Sequence, residues 1–251
     1  MPATSQPTRL WEVDALRGIA IVEMVFFHFV WDLHYFGLYQ ANVLTGPWQI
    51  FARNIASTFL FVLGVSLTLS YNRASKQRSR SNLFPKYLRR GGQIFGLGLV
   101  ITVVTYFFIG QGFVIFGILH LLGLSIIVAY PLLDRNKWLT LLGGLIAIGL
   151  GTYLNKIIVS FPWLIWLGLP QAGRYMVDYY PFLPWFGVAL LGVFAGYSLY
   201  PDGARRFHLP DLSQTAPVRG LDFLGRHSLL IYLVHQPILI GIFMALGYGS
   251  F

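Results

Sequence analysis

Cysteine is absent from the 251-residue chain, which excludes disulfides and thiolate metal sites. Charge is scarce as well: 11% of residues are Asp, Glu, Lys or Arg, against about 25% in an ordinary soluble domain. Acidic residues are scarcest, 9 against 18 Lys and Arg, and the formal net charge is +9. In a soluble protein that balance would suggest nucleic acid, but here the basic residues lie in short loops between apolar runs, and nucleic acid is not an expected partner. No repeat of fixed period, low-complexity tract, Gly-rich phosphate loop, zinc-ligand spacing or Gly-x-Ser-x-Gly elbow occurs. A cleavable signal peptide is not expected, because the first apolar run opens with Glu12, Asp14 and Arg17 and lacks a small-residue cleavage site. What fills the sequence instead is hydrophobic side chain, 56% of residues, with a mean hydropathy of +0.64. A bilayer is the solvent for such a composition.

A crossing needs roughly 20 mostly apolar residues. Apolar runs bounded by charge, Gly and Pro predict an all-α, polytopic transmembrane bundle of about seven spans, near 13–36, 48–70, 91–109, 113–133, 138–154, 181–200 and 225–247. The chain reads as one domain over 1–251. A further run from Ile157 to Leu169 contains Pro162 and is too short to span, so it is expected at an interface or as a re-entrant segment. The Lys and Arg residues of loops 71–90, 134–138 and 201–224 all fall on one side if the helices alternate. That side is expected to be cytoplasmic, which puts the amino terminus inside and the carboxyl terminus outside. Gly92, Gly96, Gly98, Gly143 and Gly144 are expected to mark helix contacts.

The first helix is the exception to this apolar pattern. It carries Asp14, Arg17, Glu23, His28 and Asp32, although a charge at mid-membrane costs from about 2.5 kcal/mol upward. Arg17 and His28 stand eleven residues apart, which at a helical pitch leaves them about 20° apart on one stripe, with Asp14 and Asp32 within about 60°. At 1.5 Å per residue His28 sits roughly 22 Å into a core of about 30 Å. Arg17 lies near the opposite headgroups, where it pairs with Asp14 as a snorkelling anchor or serves a ligand. An imidazole four residues from the Asp32 carboxylate is an arrangement that orients a general base, and also one that a purely structural histidine adopts.

The stretch Arg9-Leu-Trp-Glu-Val-Asp14-Ala-Leu-Arg17-Gly-Ile-Ala-Ile, with Met24 and Phe27-His28, resembles the opening helix of the heparan-alpha-glucosaminide N-acetyltransferase-like family of bacterial membrane proteins. It is also similar to the wider transmembrane acyltransferase group, including acyltransferase family 3, in which an arginine, ten residues and a histidine mark the first helix. Phe116-Gly-Ile-Leu-His120-Leu-Leu-Gly-Leu-Ser125 and Phe223-Leu-Gly-Arg-His227-Ser228-Leu-Leu-Ile-Tyr232-Leu-Val-His235-Gln-Pro237 extend the likeness along the chain. The resemblance implies acyl transfer in the bacterial inner (plasma) membrane, from cytoplasmic acetyl-CoA or another acyl-CoA to an acceptor on the far side, often a sugar. Two departures stand against it: about seven spans where many relatives have ten or eleven, and no His-Ala-Ser-Trp-Asn stretch, which carries the histidine of the lysosomal enzymes.

On this reading His28 is the catalytic base with Asp32 orienting it, and Arg17 with Asp14 holds the CoA. Arg53, His120, Tyr232 and His235 contact the acceptor, a glycan or small hydroxyl or amine, and no metal is required. His120 is equally well explained as a packing residue, and Ser228, Tyr232 and His235 form one polar edge of the last helix, where Gln236 or Tyr232 would also repair the backbone loosened by Pro237. Arg53, Arg174 and Asp178 suit a membrane interface as well as a site. The rivals are a proton-coupled transporter using His28, Asp32, His120 and His235 as a relay, and a non-catalytic membrane subunit. The oligomeric state, a homo-oligomer included, is left open by the sequence.

Overall fold

The computed structural model describes residues 10–40, 42–77 and 83–248. Arg9 of the first motif and Arg78 and Arg80 of the 71–90 loop lie outside the described residues. Within them the α-helices are α1 Trp11–Tyr35, α2 Gly46–Ser75, α3 Phe84–Ile109, α4 Ile118–Ala129, α5 Lys137–Leu154, α6 Phe182–Leu199, α7 Ala216–Arg226 and α8 Ser228–Ala245. Five of these, α2, α3, α5, α6 and α8, are long and apolar enough to cross a membrane. α1 has 25 residues, and its ionisable side chains keep it out of that set; α4 is short, with 12 residues.

Several boundaries differ from expectation for local reasons. α3 starts seven residues early because Pro85 occupies its first turn, where its missing N–H costs nothing, and Lys86, Arg89 and Arg90 then extend the helix beyond its apolar portion. The helix expected from residue 113 begins only at Ile118, after a turn in which Gly110 and Gly112 take positive φ. It closes through a 3-10 turn at Tyr130–Leu132 around Pro131. The loop expected at 201–224 holds α7, with Pro217 in its first turn, and the expected 225–247 helix breaks at His227, where α7 ends and α8 starts.

The chain forms two compact units, Met1–Phe59 with Leu209–Phe251, and Leu60–His208. In the first, α1 packs on α7 and α8. Buried Ile21, Met24 and Ile55 form its apolar centre, flanked by Val25, Phe27, Phe51, Phe59, Leu224, Ile231 and Tyr232. The crossing of α1 and α7 is backbone on backbone: a Cβ on Gly18 would strike the Leu221 carbonyl, and one on Gly225 the Asp14 carbonyl.

In the second unit α3 packs on α4 and α5 on α6, through close approaches at Gly91 with Gly123 and Gly144 with Gly187. Gly92 and Gly96, expected at contacts, face open space instead. The 155–180 segment contains no regular helix. It is held by an isolated bridge between Val159 and Gln171 and by Phe182 and Leu183 amides donating to the Trp166 and Leu167 carbonyls.

Candidate functional site

The charged stripe of α1 resolves into two clusters within the first unit. At its beginning, Arg17 Nη1 donates to Asp14 Oδ1 at 2.9 Å, the pairing expected from the sequence. Asp14 is buried at 4% exposure. Arg226, from the end of α7, brings a second guanidinium to the same carboxylate, Nε to Oδ2 at 3.9 Å, and also meets Asp222 at 3.4 Å. The glycine-to-glycine crossing explains this meeting: Gly18 and Gly225 bring the two backbones together, and their sequence neighbours Arg17 and Arg226 flank Asp14. Arg226 was quoted in the motif but not anticipated as a partner of Asp14.

Farther along α1, His28 and His235 of α8 meet edge to face, ring centroids 4.7 Å apart. His28 Nδ1 lies 2.9 Å from the Met24 carbonyl one turn earlier. A carbonyl only accepts, so Nδ1 carries the hydrogen and Nε2 presents its lone pair. His235 repeats the arrangement, its Nδ1 2.7 Å from the Tyr232 carbonyl and 3.2 Å from that of Ile231. Its Nε2 is buried with no partner among the described residues.

Asp32, expected to hold His28, is bound otherwise. Gln236 Nε2 donates to its Oδ1 at 2.6 Å, and the carboxyl group is fully buried at 0% exposure. The reason is competition: the Met24 carbonyl lies one turn before His28 and captures its Nδ1, a bond local to the helix that Asp32, one turn after, cannot displace. Asp32 Oδ2 and Gln236 Oε1 are left buried and unpartnered among the described residues. Gln236, which the sequence offers equally for function and for repair of the Pro237 backbone, is thus a member of this cluster. Its signal was an amide beside a histidine in an otherwise apolar helix.

The remaining expected site residues divide. Tyr232 lies beside His235, ring centroids 5.7 Å apart, and packs against the apolar centre of the first unit. Arg53 lies on an exposed face of α2, and no hydrogen bond or ion pair joins it to the histidine pair among the described residues. His120 belongs to the second unit and is 1% exposed. Its Nδ1 accepts from the Gly117 amide at 3.2 Å, so Nε2 carries the hydrogen toward Thr102 Oγ1 at 3.4 Å. Phe95 and Phe116 bracket the ring. Nδ1 of His120 therefore helps start α4, together with Asp178, whose Oδ2 accepts the Ile118 amide at 3.0 Å, while Nε2 ties α4 to Thr102 of α3. In the same unit Tyr179 donates to the Ile165 carbonyl at 2.8 Å, and burial pushes its phenol up to about 12.

Buried polar atoms without partners are uncommon in folded proteins, and each calls for an explanation such as a water, an ion or a bound ligand. Here Asp32, His235 and Gln236 contribute one each in a single helix pair, beside an imidazole whose lone pair is free to accept a proton. The class is that of a multi-pass helical membrane protein with a polar, histidine-bearing cluster inside its helices. The family model described as "Heparan-alpha-glucosaminide N-acetyltransferase, catalytic" matches residues 9–237. The chain belongs to that family, whose named activity is acetyl transfer. The match begins at Arg9 and ends at Pro237, so it contains both clusters of α1 and the His235–Gln236 pair. No curated protein matches the chain.

Proposed function

We propose that the protein is an acyl-CoA-dependent O- or N-acetyltransferase of the bacterial inner membrane, with His28 as its general base and a glycan or small hydroxyl- or amine-bearing molecule as acceptor. The observation that carries this reading is the buried group of unpartnered acceptor atoms, Asp32 Oδ2, Gln236 Oε1 and His235 Nε2, gathered beside His28. Three acceptors in one place suit a ligand rich in donors, as sugar hydroxyls and amines are. The distribution of Lys and Arg supports a cytoplasmic amino terminus, with donor entry from the Arg17 end and acceptor entry from the other.

In the reaction His28 Nε2 removes the proton of the acceptor O–H or N–H as that atom attacks the thioester carbonyl carbon. The tetrahedral intermediate collapses with cleavage of the C–S bond, and the CoA thiolate leaves with the proton that His28 took up. The products are acetylated acceptor and CoA. General-base help of this kind is worth about 10²–10⁴-fold. Arg17, held by Asp14, binds the phosphate or pantetheine portion of the donor. The Met24 carbonyl fixes the tautomer of His28, and the bond from Gln236 fixes the Asp32 carboxyl that receives the acceptor.

The test uses purified protein in proteoliposomes with radiolabelled acetyl-CoA and a mixture of glycans. Transfer of label that His28→Ala abolishes supports the reading. Accumulation of an unmodified solute inside the vesicles, with no labelled product, would replace it with the carrier.

A further inference from the structure

The second unit contains a cavity of about 270 Å³ lined by Asn72, Arg135, Lys137, Tyr197, Pro201 and Asp202. It opens where the end of α2, the start of α5 and the end of α6 meet, at helix ends that carry basic turns. Its cations are held ready but uncommitted. The Lys137 ammonium lies over the Trp138 and Phe194 rings at 5.6 and 6.0 Å, a contact that orients the charge without neutralising it. Neither Arg135 nor Lys137 has an ion-pair partner among the described residues. Lys76 adds a third positive charge at the rim, its Nζ donating to the Asp202 carbonyl at 3.1 Å. The lining holds two cations, Arg135 and Lys137, and the single carboxylate of Asp202, and the Asn72 amide and Tyr197 hydroxyl supply neutral hydrogen-bonding groups. Beside the cavity Trp138 is 58% exposed, as an aromatic anchor at a membrane surface would be.

We propose that this cavity binds a phosphate group at the membrane surface. A planar guanidinium and an ammonium lining one concavity match a phosphate mono- or diester better than a carboxylate, because phosphate offers several oxygens to share between them. Two sources present that chemistry: the headgroup of an anionic phospholipid, and the phosphates of a coenzyme A molecule. The cavity is built from residues of the second unit alone and the histidine cluster from the first, so the inference does not depend on the catalytic reading.

The wild-type protein and Arg135→Ala/Lys137→Ala are purified and compared in two arms. In one, retained lipid is counted by native mass spectrometry after reconstitution with phosphatidylglycerol or phosphatidylcholine. In the other, binding of CoA and of dephospho-CoA is measured by equilibrium dialysis in zwitterionic detergent. Loss of two near-surface cations weakens the true ligand by about tenfold to thirtyfold. Loss of phosphatidylglycerol retention alone assigns the lipid, and weakened CoA binding alone assigns the nucleotide. Arg89→Ala/Arg90→Ala, which removes the same charge from the exposed start of α3, leaves both unchanged. The single variant Arg135→Glu checks the result where the double variant folds poorly. Wild-type binding by the cavity variants in both arms, or equal loss in the α3 control, overturns the proposal.

Discussion

Gln236→Leu is the most informative single change in the protein, because its cost follows from one contact. The Gln236 amide is the only hydrogen-bond donor to the Asp32 side-chain carboxyl among the described residues, at 2.6 Å, and that carboxyl is fully buried. Leucine has about the volume of glutamine but no donor, so packing changes little while Oδ1 loses its partner and neither carboxyl oxygen keeps one among the described residues. Hydrogen bonds to charged groups are worth about 1.5–3 kcal/mol, and stranding the partner in a buried position places the cost toward the upper end. For a chain of this size each kcal/mol moves the melting midpoint by about 2–4 °C, which predicts a fall of roughly 4–12 °C. Thermal unfolding in detergent, followed by the intrinsic fluorescence of the 7 tryptophans, reads it directly. Adding Asp32→Leu removes the stranded group, so the double variant should be less destabilised than the two single changes summed. An unchanged midpoint, or strict additivity, would refute the pairing as an energetic unit.

Gly225→Val should destabilise by about 2 kcal/mol or more because its side chain meets the Asp14 carbonyl, whereas Gly220→Val on the same helix enters open space and should melt close to wild type. Arg17→Ala should raise the KM for acyl-CoA more than it lowers kcat, in steady-state assays, if the Arg17 end receives the donor. His120→Phe strands the Gly117 amide and should lower the midpoint by an amount corresponding to about 1–3 kcal/mol, while turnover per folded molecule stays near wild type. The Tyr179 phenol, raised by burial to about 12, is protonated when folded at pH values where the unfolded chain already ionises it. Stability should therefore fall as pH rises between about 10 and 12, and Tyr179→Phe should flatten that part of a melting-point profile.

The membrane character and most spans were legible because a bilayer demands long apolar runs, and those can be counted. The α1 stripe was legible for the same reason in reverse: Asp14, Arg17, His28 and Asp32 stand out on an apolar helix, and the Arg17–Asp14 bond is set by a three-residue spacing. α7 was not, since its run is half polar and its start is marked only by Pro217 in the first turn. Long-range partnerships were harder still. The pairing of His28 with His235 and of Asp32 with Gln236 depends on how α1 and α8 face each other, which no local pattern encodes. The role expected for Asp32 gave way to a carbonyl, a group every residue possesses and sequence therefore cannot highlight.

The central claim is that the His28 lone pair faces the reacting thioester. A density map of the protein with a non-hydrolysable acetyl-CoA analogue bound tests it most directly. The account predicts the analogue's carbonyl within about 3–4 Å of His28 Nε2, close enough to leave an acceptor within hydrogen-bond reach. An analogue bound elsewhere, with the His28 ring enclosed by aliphatic side chains, would contradict it.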